Sequence, residues 1–314
     1  VNETINPKLF YPSTWPYWIV LGLLWLITQL PYRWFMRIGK AFGYFVSFVP
    51  HYNRVVTLIN LQLCFPEKTA QERCQMMRRC YESLAMAMLE TSFSCWASDK
   101  RLRGLVTIHN ADFQKHCDSH GILLIVPHYH VLEISGRLCA MQIAHLSAVY
   151  RPHRKPVIEF MNKRHLLHNF KTIIPRTNGK GMIRFLRDKG CLFFLPDIDA
   201  GKKQSIFAKF FGVQTASVAS VPKLVELGKA KVVLVHAYRK ADLSGYVLTF
   251  SAPLENYPSG DVLQDVERVN DEMEKLIRQY PEQYLWQYRR FRTRPPGDAD
   301  FYPKKKVRKK VSAT

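Results

Sequence analysis

The sequence predicts an α/β fold, with a mixed, largely parallel sheet flanked by helices and an N-terminal membrane anchor helix. Three observations predict it. After Gly104, short β-branched or aromatic runs alternate with helical stretches; before it lies a long helical pattern; and ahead of both, the chain between Lys8 and Arg33 carries no charged residue.

The anchor comes first. Its centre, Trp15 to Leu30, reads WPYWIVLGLLWLITQL. The apolar part is short for a hydrocarbon core of about 30 Å, so spanning needs Tyr11, Trp15, Tyr17 and Trp18 at one interface and Tyr32 with Trp34 at the other. A cleaved signal peptide is disfavoured, because the preceding residues are almost without positive charge and no Ala-x-Ala-like site follows. Arg33, Arg37, Lys40 and Arg54 follow the apolar run and place the body of the protein in the cytoplasm. A buried core helix or an in-plane amphipathic helix is the alternative reading of the same segment. The aromatic stretch from Gly39 to Pro50 is expected to lie against the bilayer in either case.

From Lys68 to about Trp96, Cys74, Met77, Cys80, Leu84, Met88 and Phe93 recur at helical spacing, with Arg73, Arg78 and Arg79 between them. Such a stripe is ordinary core packing and receives no role. Strands are then predicted at Val106 to His109, Ile122 to Val126, Ser147 to Tyr150, Cys191 to Leu195, Val232 to Tyr238 and Tyr246 to Phe250. Helices fall between them at Leu132 to Gln142, Pro156 to His168, Gly181 to Lys189, Ala216 to Leu227 and Val262 to Gln279. The resulting organisation is an anchor over residues 1–38, an α/β domain over 39–300, and a basic disordered tail over 301–314 that clamps anionic headgroups or merely solubilises.

With 314 residues, 47% of them hydrophobic, the chain is long enough for a sizeable core. The balance of 46 Lys plus Arg against 25 Asp plus Glu, a formal charge of +21, calls for an anionic partner. Nucleic acid is disfavoured, since no glycine-aromatic strand motif of a nucleic-acid-binding fold is present. Seven cysteines at irregular spacing, Cys117 among them, read as reduced thiols.

Chemistry concentrates in ILLIVPHYHVLE. A buried strand stops at Pro127 and is followed by His128 and, five positions on, Glu133. The carboxyl end of a strand is where open α/β sheets build their sites. Glu133 is expected to accept a hydrogen bond from one ring nitrogen of His128, making the other a base for a hydroxyl group. Two other readings stay open: His128, His130 and Glu133 as three metal ligands, or His130 as a buried polar residue without a task. No Gly-x-Ser-x-Gly elbow and no activated cysteine is evident, so direct attack of a hydroxyl on an activated ester needs no covalent enzyme intermediate.

His128, four residues and an acidic residue resemble the signature of glycerolipid acyltransferases, and the whole chain resembles the late lipid A acyltransferases of Gram-negative bacteria. The further matching pieces are NLQLCFPE (Asn60 to Glu67), VYRPHRKPVIEFMNKR (Val149 to Arg164), LPDIDAG (Leu195 to Gly201) with FAKFFG (Phe207 to Gly212), and PEQYLWQYRRFRTRP (Pro281 to Pro295). The resemblance implies a glycerolipid acyltransferase-like fold at the inner membrane. It also implies transfer of an acyl chain from acyl carrier protein, or coenzyme A, to a hydroxyl of an anionic lipid A precursor. No cofactor beyond that thioester co-substrate is implied. His128 would be the base and Glu133 its orienting partner, with Arg151 and Arg164 at the donor's phosphopantetheine arm or a substrate phosphate. Asp197 and Asp199 match the family's Asp-x-Asp segment; their own context reads equally as turn capping or ion pairing. Arg289 and Arg290, in a cluster with Arg292 and Arg294, read as a phosphate or headgroup surface. Glu133 stands where Asp is commoner, and Lys155 where Asn is frequent. A membrane-anchored lipid hydrolase using the same pair, or a basic lipid-binding protein, is the alternative.

Overall fold

The computed structural model describes residues 11–116, 119–153, 155–202 and 205–304. Helices α1 (Trp15–Thr28), α2 (Tyr32–Phe48), α3 (Tyr52–Cys64), α4 (Ala70–Trp96) and α5 (Asp99–Arg103) come first. Then follow β1 (Val106–His109), β2 (Gly121–Ile125), α6 (Leu132–Ala140), β3 (Leu146–Tyr150), α7 (Pro156–Asn169), β4 (Thr172–Pro175), α8 (Gly179–Arg187) and β5 (Cys191–Phe194). The chain continues through β6 (Ser205–Phe210), β7 (Val213–Val218), α9 (Ser220–Gly228), β8 (Ala230–Arg239), β9 (Tyr246–Phe250) and α10 (Val262–Gln279).

Seven strands form one sheet in the order β1-β9-β8-β2-β5-β3-β4. Every pairing is parallel except β8 with β9, which a short loop joins. The mixed, largely parallel α/β sheet expected from the sequence is therefore the fold. Central β2 and β5 are buried along their whole length, as their unbroken apolar runs require of strands covered on both faces. β6 and β7 form a separate antiparallel hairpin against α10. The strands at β4, β6 and β7 were not expected, and Ala216 to Val218, expected to open a helix, are the end of β7. Thr215 and Ser217 interrupt the apolar pattern that marks the other strands, which hid this one.

α4 organises the N-terminal half. A capping box starts it: Thr69 Oγ1 accepts from Glu72 N–H at 3.2 Å and Glu72 accepts from Thr69 N–H at 2.7 Å. Its Glu90 is buried and receives both arms of Arg239 on β8 at 2.8 and 2.5 Å, with the Tyr246 hydroxyl at 2.9 Å, so helix and sheet are joined by a desolvated ion pair. Removing one member of such a pair generally costs about 3–5 kcal/mol, because the other charge is left buried.

α1 and α2 each pack on α4. Phe35 and Met36 of α2 are buried in the core, whereas Trp15, Ile19, Leu23, Trp34, Phe42 and Phe45 are exposed. The anchor expected to span a membrane is not supported: among the described residues no helix is long and apolar enough to cross one. α1 has 14 residues, about 21 Å of helix at 1.5 Å per residue. The boundary expected at residue 38 lies inside α2, whose buried side packs on α4. At the other end, the first two residues of the expected tail are not solvated in the way a disordered end would be. Tyr302 is buried; its hydroxyl donates to Asn60 at 2.5 Å and accepts from Phe291 N–H at 3.1 Å. Residues 305–314, the rest of that tail, lie outside the described residues, as does Cys117.

Close approach of α2 to α4 depends on Gly43, where an added Cβ would sit 2.4 Å from the Tyr81 carbonyl and 2.5 Å from Glu82 Cα. Gly22 on α1 has nothing within 4 Å of that position. Gly43→Ala is expected to destabilise the protein by about 1–3 kcal/mol through overpacking, and Gly22→Ala to be neutral or slightly stabilising. Thermal unfolding of the two variants in the same detergent checks this, and equal melting temperatures would contradict the packing described.

Candidate active site

The geometry of the site follows from the register of two parallel neighbours. Ile125 at the end of β2 pairs with Phe194 at the end of β5, and Val126 N–H donates to the Phe194 carbonyl at 3.0 Å. Each strand then meets a proline, Pro127 or Pro196, which has no N–H to continue the ladder. The residues after these prolines are His128 and Asp197. Both stand three positions past the paired ends, side by side at the carboxyl edge of the sheet.

They are in contact. His128 Nδ1 is 2.6 Å from Asp197 Oδ1, and the backbone N–H of His128 donates to Oδ2 at 2.7 Å. The Tyr284 hydroxyl hydrogen-bonds the same carboxylate. Asp197 is fully buried, while the His128 side chain keeps 22% of its surface exposed. Burial alone would raise the Asp197 pKa, but the opposed charge of His128 and these hydrogen bonds outweigh it and hold the carboxyl below its ordinary range. An ionised Asp197 accepts the Nδ1 proton and leaves Nε2 as the free, accessible base.

Glu133 is therefore not the orienting partner expected for His128. Placed in the first turn of α6, it turns to His165 on α7, with Oε2 3.4 Å from Nε2. The spacing in sequence was right for a hydrogen bond, but helix α6 begins at Leu132 and carries the side chain away from the end of β2. Glu133 and His165 line a cavity of about 510 Å³ between α1, α4 and α7, walled chiefly by apolar side chains such as Leu21, Leu24, Met88, Trp96 and Ile158. Burial would lower the pKa of His165; its neighbours Cys95 and Glu133 raise it to about 9.

His130 has a structural position. Nδ1 meets Ser83 Oγ at 2.8 Å and Nε2 meets Gln287 Oε1 at 3.2 Å, and burial lowers its pKa to about 3, so it stays neutral. With His128 on Asp197, His130 on Ser83 and Glu133 on His165, these three residues do not converge on a metal ion. No group of three His, Cys, Asp or Glu among the described residues is arranged to hold one.

The segment after α10 closes the back of the site. Leu285 N–H donates to the His128 carbonyl at 3.0 Å and His130 N–H to the Gln283 carbonyl at 2.6 Å. Asn60 holds the carbonyls of Trp286 and Tyr288 at 2.7 and 2.8 Å. Asp199 fastens the same segment by accepting from Thr293 N–H at 3.0 Å and Arg292 Nε at 3.2 Å, besides Gly201 N–H at 2.8 Å. Of the two carboxylates in the Asp-x-Asp segment, Asp197 thus faces the imidazole and Asp199 the strap. Arg290, expected on a headgroup surface, is buried: it donates to Ala216 O and Ser217 Oγ at 2.9 Å and lies over the Phe210 ring. Half-buried Arg289 reaches the Tyr52 hydroxyl at 3.4 Å. Arg151, just beyond β3, and Arg164 on α7 are exposed. The sequence signal for the His128–Asp197 pair is the repeat of Pro-His and Pro-Asp after two buried strands, which becomes informative once the strands are known to be neighbours.

A family model described as bacterial lipid A biosynthesis acyltransferase matches residues 3–293. The chain belongs to this family. It is 34% identical over 298 residues to the lipid A biosynthesis palmitoleoyltransferase of Escherichia coli K12, covering 94% of this chain and 97% of that protein. The lauroyltransferase of the same organism is 34% identical over 300 residues, with 93% and 96% covered. Its myristoyltransferase is 23% identical over 298 residues, with 94% and 92% covered. Similarity of this extent includes the edge of the sheet that carries His128 and Asp197, and the strap behind it.

Asp197→Asn places an amide where the carboxylate accepts the Nδ1 proton, and an amide N–H there can hold the ring with its proton on Nε2. Turnover of this acyltransferase-family protein is expected to fall by about 10²- to 10⁴-fold with the fold retained. Steady-state kinetics on a variant of unchanged melting temperature tests this, and a kcat within a few-fold of wild type would remove Asp197 from the site.

Proposed function

We propose that this protein transfers a fatty acyl chain from a thioester of acyl carrier protein, or of coenzyme A, to a hydroxyl group of a lipid A precursor. His128 Nε2 takes the proton of the attacking hydroxyl, and Asp197 holds the ring in the required tautomer and offsets the charge that develops on it. The observation that carries the reading is the His128–Asp197 contact at the exposed edge of the sheet, in a chain of the lipid A acyltransferase family. The thioester is already activated, so attack through one tetrahedral intermediate needs a base, positioning and a place for the chain. The α1–α4–α7 cavity, with its apolar walls, is the place we assign to the acyl chain. Exposed Arg164, next to His165 on a helix that lines the cavity, and Arg151 are assigned to phosphate groups of donor or acceptor.

Membrane attachment is part of the same proposal. The exposed aromatic and aliphatic side chains of α1 and α2 form an apolar surface, and Arg33, Arg37 and Lys40 lie along α2. Such a pair of helices suits insertion parallel to the bilayer plane, with the basic groups on anionic headgroups. An acyl chain would then reach the cavity from the lipid side through α1. We place the protein at the cytoplasmic face of the inner membrane. Family membership favours acyl transfer over the hydrolase and the simple lipid-binding protein.

The test is incubation of the purified protein with an acyl-carrier-protein thioester and an under-acylated lipid A precursor, read by mass spectrometry. One added acyl chain is expected on the precursor, and none with His128→Ala, which should still bind liposomes. Release of free fatty acid without any acylated lipid would contradict the reading.

A further inference from the structure

One cluster of polar side chains takes no part in the chemistry above. Half-buried Cys95, on the last turn of α4, lines the cavity together with His165 and Glu133. Cys95 stands beside His165. The other side of the ring is met by Asn169, whose Nδ2 lies 3.1 Å from Nδ1, and Glu133 Oε2 is 3.4 Å from Nε2. The arrangement brings a thiol, an imidazole and an amide together, with a carboxylate alongside. Cys64, Cys80 and Cys139, by contrast, are fully buried in the core, where desolvation raises their pKa values. Cys95 thus combines access, a neighbouring imidazole and an apolar chamber of about 510 Å³.

We propose that Cys95 is an S-acylation site, accepting the acyl chain of a long-chain fatty acyl thioester within the α1–α4–α7 cavity. The inference rests on the proposal that the protein meets such thioesters. In the step, Cys95 Sγ forms a bond to the acyl carbon and the carbon–sulfur bond of the donor breaks. His165 gives its proton to the departing donor sulfur and takes up the thiol proton in its place, so one thioester replaces another without any oxidant. His165 is suited to the relay, since a pKa raised to about 9 keeps its ring protonated near neutrality, ready to protonate the departing sulfur. The apolar walls supply what a chain needs to stay bound while the thiol attacks, and a chain fixed at Cys95 occupies the space assigned to the donor's chain. Acylation is therefore self-blocking.

Palmitoyl-coenzyme A and the purified full chain, followed by intact-mass measurement and peptide mapping, test the proposal. The expected product carries one palmitoyl group on the Cys95 peptide, released by neutral hydroxylamine. Cys95→Ser abolishes the adduct, and His165→Asn slows it at least about tenfold. Acetyl-coenzyme A, which lacks the chain, labels at least about tenfold more slowly than palmitoyl-coenzyme A. His128→Ala retains the adduct while losing transfer to lipid, which separates failure of this proposal from failure of the proposed function. No adduct on a preparation that acylates the lipid A precursor would overturn it, as would labelling unchanged in Cys95→Ser. Should His165→Asn fail to fold, the Cys95→Ser comparison and the mapped position decide by themselves.

Discussion

A single ionised carboxylate, sealed from water behind an exposed imidazole, is the constraint on which this site depends. Asp197 has no accessible surface, so its charge survives only because His128 N–H, His128 Nδ1 and the Tyr284 hydroxyl surround it. The same contacts fix the position of the ring and the identity of its free nitrogen. They exist because β2 and β5 are adjacent, parallel and in register, and because a proline ends each ladder at the same level. A shift of one strand by a residue would separate the pair, so the site is an outcome of sheet pairing as much as of side-chain choice.

The strap from Pro281 to Thr293 protects that constraint from behind. It supplies Tyr284 to the carboxylate, holds the backbone on either side of Tyr129, and is itself held by Asn60, Asp199 and buried Trp286. Arg290 belongs to this scaffold: its two terminal nitrogens donate to Ala216 and Ser217 inside the protein and tie the strap to the β6–β7 hairpin. An arginine-rich motif can therefore be specific to a family for reasons of packing, with only some of its charges facing outward.

How far the sequence could be read depended on whether a feature is local. β1, β9 and α10 lie where periodicity placed them, and His128 stands at a strand end, because apolar alternation and proline breaks are properties of neighbouring residues. The partner of His128 was not legible. Glu133 is near in sequence and Asp197 is 69 positions away, and only strand order, which no local pattern encodes, decides between them. Likewise, an uncharged run from Trp15 to Leu30 reads as a span, but α1 stops at Thr28 and a new helix, α2, starts after Pro31. Phe35 and Met36 then give α2 a buried side that a lone membrane helix would not need. The cavity could not be anticipated either, since its walls come from four helices, α1, α4, α6 and α7, far apart in the chain.

The tautomer of His128 is the most direct test of this account. In ¹⁵N spectra of histidine-labelled protein, with the His128 resonance assigned by its loss in His128→Gln, neutral His128 should carry its proton on Nδ1 and leave Nε2 bare. Glu133→Gln should not alter that pattern, whereas Asp197→Asn should disturb it. A His128 signal that responds to the change at residue 133 and ignores the one at 197 would contradict the central claim.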